Sequence, residues 1–125
     1  VTGTTPRIQK VSAAALDERG QSVTYPDARI ISGDPAAVGL RLFQSDDGRV
    51  ASGFARHAPS EVWIELPVDE VLLCLEGHVT ITPDEGEPVD VRPGELVWLP
   101  AGTNATWRFH ETTVDVFNVV KRAQA

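Results

Sequence analysis

Two glutamates five positions apart, Glu65 and Glu70, lie in the stretch EVWIELPVDEVLLCLEGHVTI, and the one histidine of that stretch, His78, comes after them. Two carboxyl groups that share an apolar pocket cannot both ionise cheaply, because burial and like charge each raise a carboxyl pKa. One then keeps its proton near neutral pH and donates while the other accepts, which suits proton removal beside a carbonyl, dehydration or isomerisation. The plainer alternative is structural, with a glutamate held by backbone amides or by an arginine such as Arg41 or Arg56. His57, two residues before Pro59, could add a nitrogen to Glu65 and Glu70 and form a set able to hold iron, manganese or zinc. The spacing does not single that set out, and a lone histidine near a strand end is commonly a surface residue. Cys74 reads as a small buried hydrophobe rather than a nucleophile, since burial raises a thiol pKa and no histidine is expected beside it. His78 and His110 are assigned no role.

The elements that must carry these residues are short. Apolar runs such as VGLRLFQ, EVWIEL, ELVWL and TVDVFNVV alternate with turn signals such as SDDG, PVD, TPDEGEP and PAGTNA. Their length, their Val, Ile, Phe and Trp content and their regular spacing predict an all-β chain of sandwich or barrel type. One helical turn or two is expected at SAAALDER, with Ser12 as N-cap and Gly20 as the stop. The expected division is an N-terminal segment, 1–29, packing on a single domain, 30–122, with fraying ends at 1–5 and 122–125. The acidic Gly and Pro cluster between TITPDEG and VDVRPGE reads as a solvated hairpin turn.

A chain of 125 residues fits one domain and can bury roughly two-thirds of its unfolded surface. At 42% hydrophobic and 23% charged residues the composition is that of a globular protein. A net charge of -7 with scattered basic residues opposes nucleic-acid phosphates and anionic lipid, so neither nucleic acid nor membrane is expected as a partner. With one cysteine no intramolecular disulfide can form, and no apolar run is long enough for a span or a leader. The expected location is the cytoplasm.

Glu70 followed after six residues by Gly77, and Gly94 followed by Pro100 and Gly102 in GELVWLPAG, resemble the end of the first cupin motif and the start of the second. The resemblance spans about residues 38 to 120 and implies a conical antiparallel β-barrel, jelly-roll-like, with a ligand pocket between two sheets. Counting back from Glu70 with the four-residue spacing places the two motif histidines at Trp63 and Glu65, and counting forward from Gly102 places the third at Ala105. All three histidines are absent, so no cofactor is expected, with a divalent metal on His57, Glu65 and Glu70 as the alternative. The narrower pattern SGFARHAPSEVWIELPVDEVLLCLEGHVTITPDEG with GELVWLPAGTNATW is similar to EutQ-like cupins of ethanolamine utilisation. That likeness brings an acetate kinase activity with it, but the chain has no Walker-type glycine loop and little positive charge to hold a nucleotide.

If the likeness holds, side-chain alternation turns Trp63 and Glu65 into the cavity and leaves Val62, Ile64 and Leu66 on the outside, where they would form a homodimer contact. The same rule groups Glu70 with Leu72 and Cys74, and Ala105 with Trp107 and Phe109. The implied site therefore has Glu65 and Glu70 as acid and base, with Trp63, Trp107, Phe109, Cys74 and Arg56 around a small-molecule ligand. Three functions stay open: an acid–base isomerase, lyase or cyclase without a metal; a binding or accessory protein without chemistry; and a metal-dependent enzyme.

Overall fold

The computed structural model describes residues 5–25 and 28–123. Most of the ends expected to fray fall outside those residues. The runs between turn signals become strands β1 (Gln21–Val23), β2 (Arg29–Gly33), β3 (Ala37–Gln44), β4 (Val50–His57), β5 (Ser60–Glu65), β6 (Asp69–Glu76), β7 (Val79–Pro83), β8 (Val89–Val91), β9 (Leu96–Leu99), β10 (Asn104–Phe109) and β11 (Thr113–Val120). They pair antiparallel in two facing sheets, ordered β1-β3-β4-β11-β6-β9 and β2-β5-β10-β7-β8. The chain is all-β, as its patterning predicts.

The helical content is a 3-10 turn, Ala13–Ala15, running into the four-residue helix α1 (Leu16–Arg19). Ser12 occupies the N-cap position without a side-chain capping bond. What fixes this turn is apolar contact: Leu16 is buried with Leu40 and Val114 in a minor core beneath it. No helix among the described residues is long and apolar enough to cross a membrane.

Between the sheets lies the main core. Strand β5 and the residue after it contribute Val62, Ile64 and Leu66; β10 contributes Ala105, Trp107 and Phe109; β6 contributes Leu72 and Cys74. Each set follows the two-residue period of a strand with one face buried.

In β5 that period has the opposite phase to the expected one. Trp63 lies on the outer surface with its indole N–H donating to Asp84 Oδ1 at 3.0 Å and the Arg29 guanidinium 4.3 Å over its ring, and Glu65 is exposed. The aliphatic residues point inward instead. Alternation holds within a strand, but Pro67 and Val68, where the chain passes from one sheet to the other, reset the phase, so counting from Glu70 across them with a four-residue spacing is off by one. A three-residue spacing places the equivalent positions on Ile64 and Leu66, which face the core. The subunit contact inferred for Val62, Ile64 and Leu66 falls with that phase, since all three are interior.

Gly77 ends β6 with a positive φ of 89°. A Cβ there would sit 2.4 Å from the Thr112 carbonyl oxygen, so the close passage of the two chain segments requires glycine at this motif position.

Candidate functional site

Strand β11 carries the residue that organises the interior. Its inward side chains Asp115, Phe117 and Val119 stand opposite Cys74, Leu72 and Glu70 of β6, and on the other side Asp115 stands opposite Ala55 of β4. The β6–β11 pairing skips Leu75, a bulge that brings Asp115 into line with the buried row of β6. His57, two residues along β4 from Ala55, is therefore the diagonal neighbour of Asp115, with Nε2 3.3 Å from Oδ2. Both residues are buried, at 7% and 4% exposure.

His57 also reaches the other sheet. Its ring stacks on Phe109 of β10 at 4.4 Å between centroids and 11° between planes. Phe109 in turn lies 6.2 Å from Trp107. The imidazole is thus fixed by a carboxylate on one sheet and an aromatic face on the other. Asp115 is left with one demand unmet: among the described residues its Oδ1 is buried without a hydrogen-bond partner. A buried carboxylate oxygen of that kind is costly and calls for a donor.

Two adjoining cavities are present, one of about 370 Å³ between the sheets and one of about 710 Å³ on the β1-β3-β4-β11-β6 sheet. Glu70, Tyr25, Ser22 and Val23 belong to the walls of both. His57, Trp107 and Phe109, with the aliphatic residues of β5, line the smaller one; Asp115 lines the larger. The smaller matches the size and mostly apolar lining of small-molecule sites.

Burial, and then the charge of Asp115, push the Glu70 carboxyl up to about 8, so it holds its proton at neutral pH. Its neighbour Asp69 points the other way along β6. Hydrogen bonds from Arg122, then from the Ala101 amide, hold that carboxyl down at about 2. Two adjacent acids are separated in behaviour by the pleat of one strand. Tyr25 leaves 42% of its surface open, but its hydroxyl end is enclosed. Burial, then the charges of Glu70 and Asp115, raise the phenol so that it stays a donor throughout the ordinary pH range.

Of the residues singled out in the sequence, Glu70, Trp107, Phe109 and His57 come together on the smaller cavity. Trp63 and Glu65 are outside. Arg56 is also outside, its Nη1 2.6 Å from Asp17 Oδ1 of α1, because Ala55 and His57 take the inward positions of β4. Cys74 is buried in the core and lines neither cavity; its thiol donates to the Glu76 carbonyl at 3.4 Å, and burial followed by the Asp115 charge pushes it up. Asp115 and Tyr25 were not anticipated. Asp115 was detectable as the charged residue on the Asp115, Phe117, Val119 face of TVDVFNVV. Tyr25 lies in the N-terminal segment and gave no periodic signal.

The interior does not fit the usual cupin metal set. Ile64, Leu66 and Ala105, at the ligand positions, offer only hydrocarbon, leaving Glu70 as the single donor among them. The alternative set of His57, Glu65 and Glu70 is not assembled, because Glu65 lies on the far side of β5. This placement gives a first test: Glu65→Gln is expected to leave ligand binding unchanged and stability within about 0.5 kcal/mol, as for ordinary surface substitutions. A larger loss in a urea titration would mean that Glu65 reaches the interior.

The fold is shared with several solved structures. A protein of unknown function from Pseudomonas syringae superposes with a TM-score of 0.74 at 20% identity over 82% of this chain, which spans only 44% of that protein. The EutQ protein of Clostridium difficile gives 0.65 at 18% identity, covering 90% of this chain and 80% of its own. Ectoine synthase from P. lautus gives 0.63 at 20% identity, covering 76% and 70%. No curated protein matches the sequence. The EutQ-like cupin domain model matches residues 44–117, which include β4 to β10, most of β11, Glu70, His57 and Asp115. With more than half its length in that match and two facing antiparallel sheets, the chain belongs to the EutQ-like cupin family.

Proposed function

We propose that the chain is an acid–base enzyme acting on a small metabolite, with Glu70 as the acid and His57, set by Asp115, as the base. The supporting observation is the buried His57–Asp115 pair opening on the same cavity space as a protonated Glu70. With Nε2 turned to Asp115, the imidazole keeps its lone pair on Nδ1 and can take a proton from carbon. The neutral Glu70 carboxyl gives its proton to the carbonyl or hydroxyl oxygen on which charge develops. In an isomerisation the two groups then exchange roles, and in a dehydration the protonated oxygen leaves as water. Trp107 and Phe109 exclude water from the smaller cavity and favour a flat or apolar body on the ligand. The reading uses no metal.

The test is solvent exchange. A panel of small keto, hydroxy and amino acids in D2O, followed by NMR, should show deuterium entering one compound with the wild-type chain and not with Glu70→Gln or His57→Gln. If the panel contains a compound that all three bind equally and none exchanges, the chain is a binding module and the His57–Asp115 pair is structural.

A homodimer belongs to the proposal through a different face from the one first inferred. On the outer side of the β6–β9 edge, Val71 pairs with Trp98, and Leu96 and Trp98 are 70% and 65% exposed. Large apolar side chains on an edge strand fit a second copy of the same surface. Trp98→Glu is expected to turn a dimer into a monomer in sedimentation at micromolar concentration, and a monomeric wild type overturns this assignment.

A further inference from the structure

On the outer face of the β10-β7-β8 sheet, away from both cavities, three ligating side chains converge from three neighbouring segments. His78 precedes β7, His110 follows β10, and Asp90 lies on β8 opposite Thr80 of β7. The His110 amide donates to the His78 carbonyl at 3.0 Å, which locks the two histidines side by side. Their rings stack at 4.1 Å and 15°. His78 Nε2 lies 3.0 Å from Asp90 Oδ1. One nitrogen from each histidine and one Asp90 oxygen all lie within 4.8 Å of one another.

We infer that His78, His110 and Asp90 form a surface site for a divalent transition-metal ion, Zn2+ being the best match. Two imidazoles and a carboxylate are a usual zinc donor set, and three protein ligands leave a position open. Donors around a tetrahedral zinc stand roughly 3.3 to 3.5 Å apart, from bond lengths near 2.0 to 2.1 Å. The 3.0 Å contact between His78 and Asp90 therefore has to open by only a few tenths of an ångström. The stacked rings must splay, which the exposed His110 can do on its own side-chain torsions.

The surroundings are arranged for this set. Thr80 Oγ1 donates to Asp90 Oδ1 at 2.6 Å and lies 2.7 Å from His110 Nε2, so one hydroxyl orients both outer ligands. Strand pairing fixes the spacing, because adjacent strands hold cross-strand side chains about 5 Å apart.

The test uses the tag-free, chelator-treated full chain and zinc chloride alone. Isothermal titration should show saturable binding of one ion per chain. His110→Ala and Asp90→Asn, both at exposed positions, should weaken it by at least about tenfold while leaving the circular dichroism unchanged. Thr80→Val should weaken it by about tenfold, the usual effect of losing a residue that orients ligands. Glu70→Gln should bind as the wild type does. Absence of saturable binding, or binding that survives both ligand substitutions, or binding lost with Glu70→Gln instead, overturns the site.

Discussion

Replacing Glu70 by glutamine is expected to remove the acid branch of any turnover and to flatten the dependence of stability on pH between about 5 and 8. The carboxyl titrates near 4.5 in the unfolded chain and near 8 in the folded one. Between those values the folded state holds a proton that the unfolded state has released. Each rise in pH through that window therefore favours unfolding. The stabilisation is complete below about 4.5, falls away up to about 8, and stays lost above it, where both states are ionised. Its size is on the order of a few kcal/mol, from about 1.4 kcal/mol per pKa unit discounted for partial solvent access. Glutamine keeps the shape and hydrogen-bonding capacity of the protonated acid but has no proton to lose. Melting curves recorded at half-unit steps should show the wild-type Tm sloping downward across the window and the variant crossing above it near pH 8. Parallel curves would place the carboxyl in solvent. Ligand retention without turnover in the variant separates a lost acid from a lost pocket; full turnover removes Glu70 from the chemistry.

Asp115→Ala should destabilise the interior by about 1 to 3 kcal/mol in chemical denaturation, the usual cost of leaving a buried hydrogen-bonding group without its partner. His57 loses the only group the structure sets against its Nε2 among the described residues, and a void opens between β4 and β6. Asp115→Asn is the informative companion because it fills the same space. Its loss of charge should let Glu70 titrate below 8, though still above the ordinary carboxylate range, since burial is the larger cause. Carbon-detected NMR of labelled glutamate reads this directly. A Glu70 that titrates unchanged in the Asn variant would mean that the two acids do not share an interior, and the joint role of Glu70 with the His57–Asp115 pair would fail.

Alternation and turn chemistry made the sheets readable, and motif glycines such as Gly77 made the family readable. The site was only partly so. Glu70, Trp107 and Phe109 could be oriented because each lies on the same strand as its reference motif. Glu65 and Trp63 could not, because their phase was carried over Pro67 and Val68 from β6. The apolar–polar beat of VWIEL itself, with aliphatics at every second place, pointed to the observed facing. Asp115 escaped because a carboxylate inside a valine-rich strand contradicts hydrophobic patterning, which is where a function can override packing. His57 was visible as a residue type, but its partner comes from 58 positions later in the chain, a pairing that only the sheet order creates.

Strand β1 has three residues, pairs among the described residues only with β3, and yet supplies Ser22 and Val23 to the walls of both cavities. This part of the cavity wall is thus one of the most lightly held pieces of sheet. Lifting β1 breaks a three-residue ladder and leaves the β3–β4–β11–β6 sheet whole. Under the proposed function, entry of a ligand past this strand needs only a local fluctuation, and its residence time would follow the hold of that short ladder rather than the strength of the core.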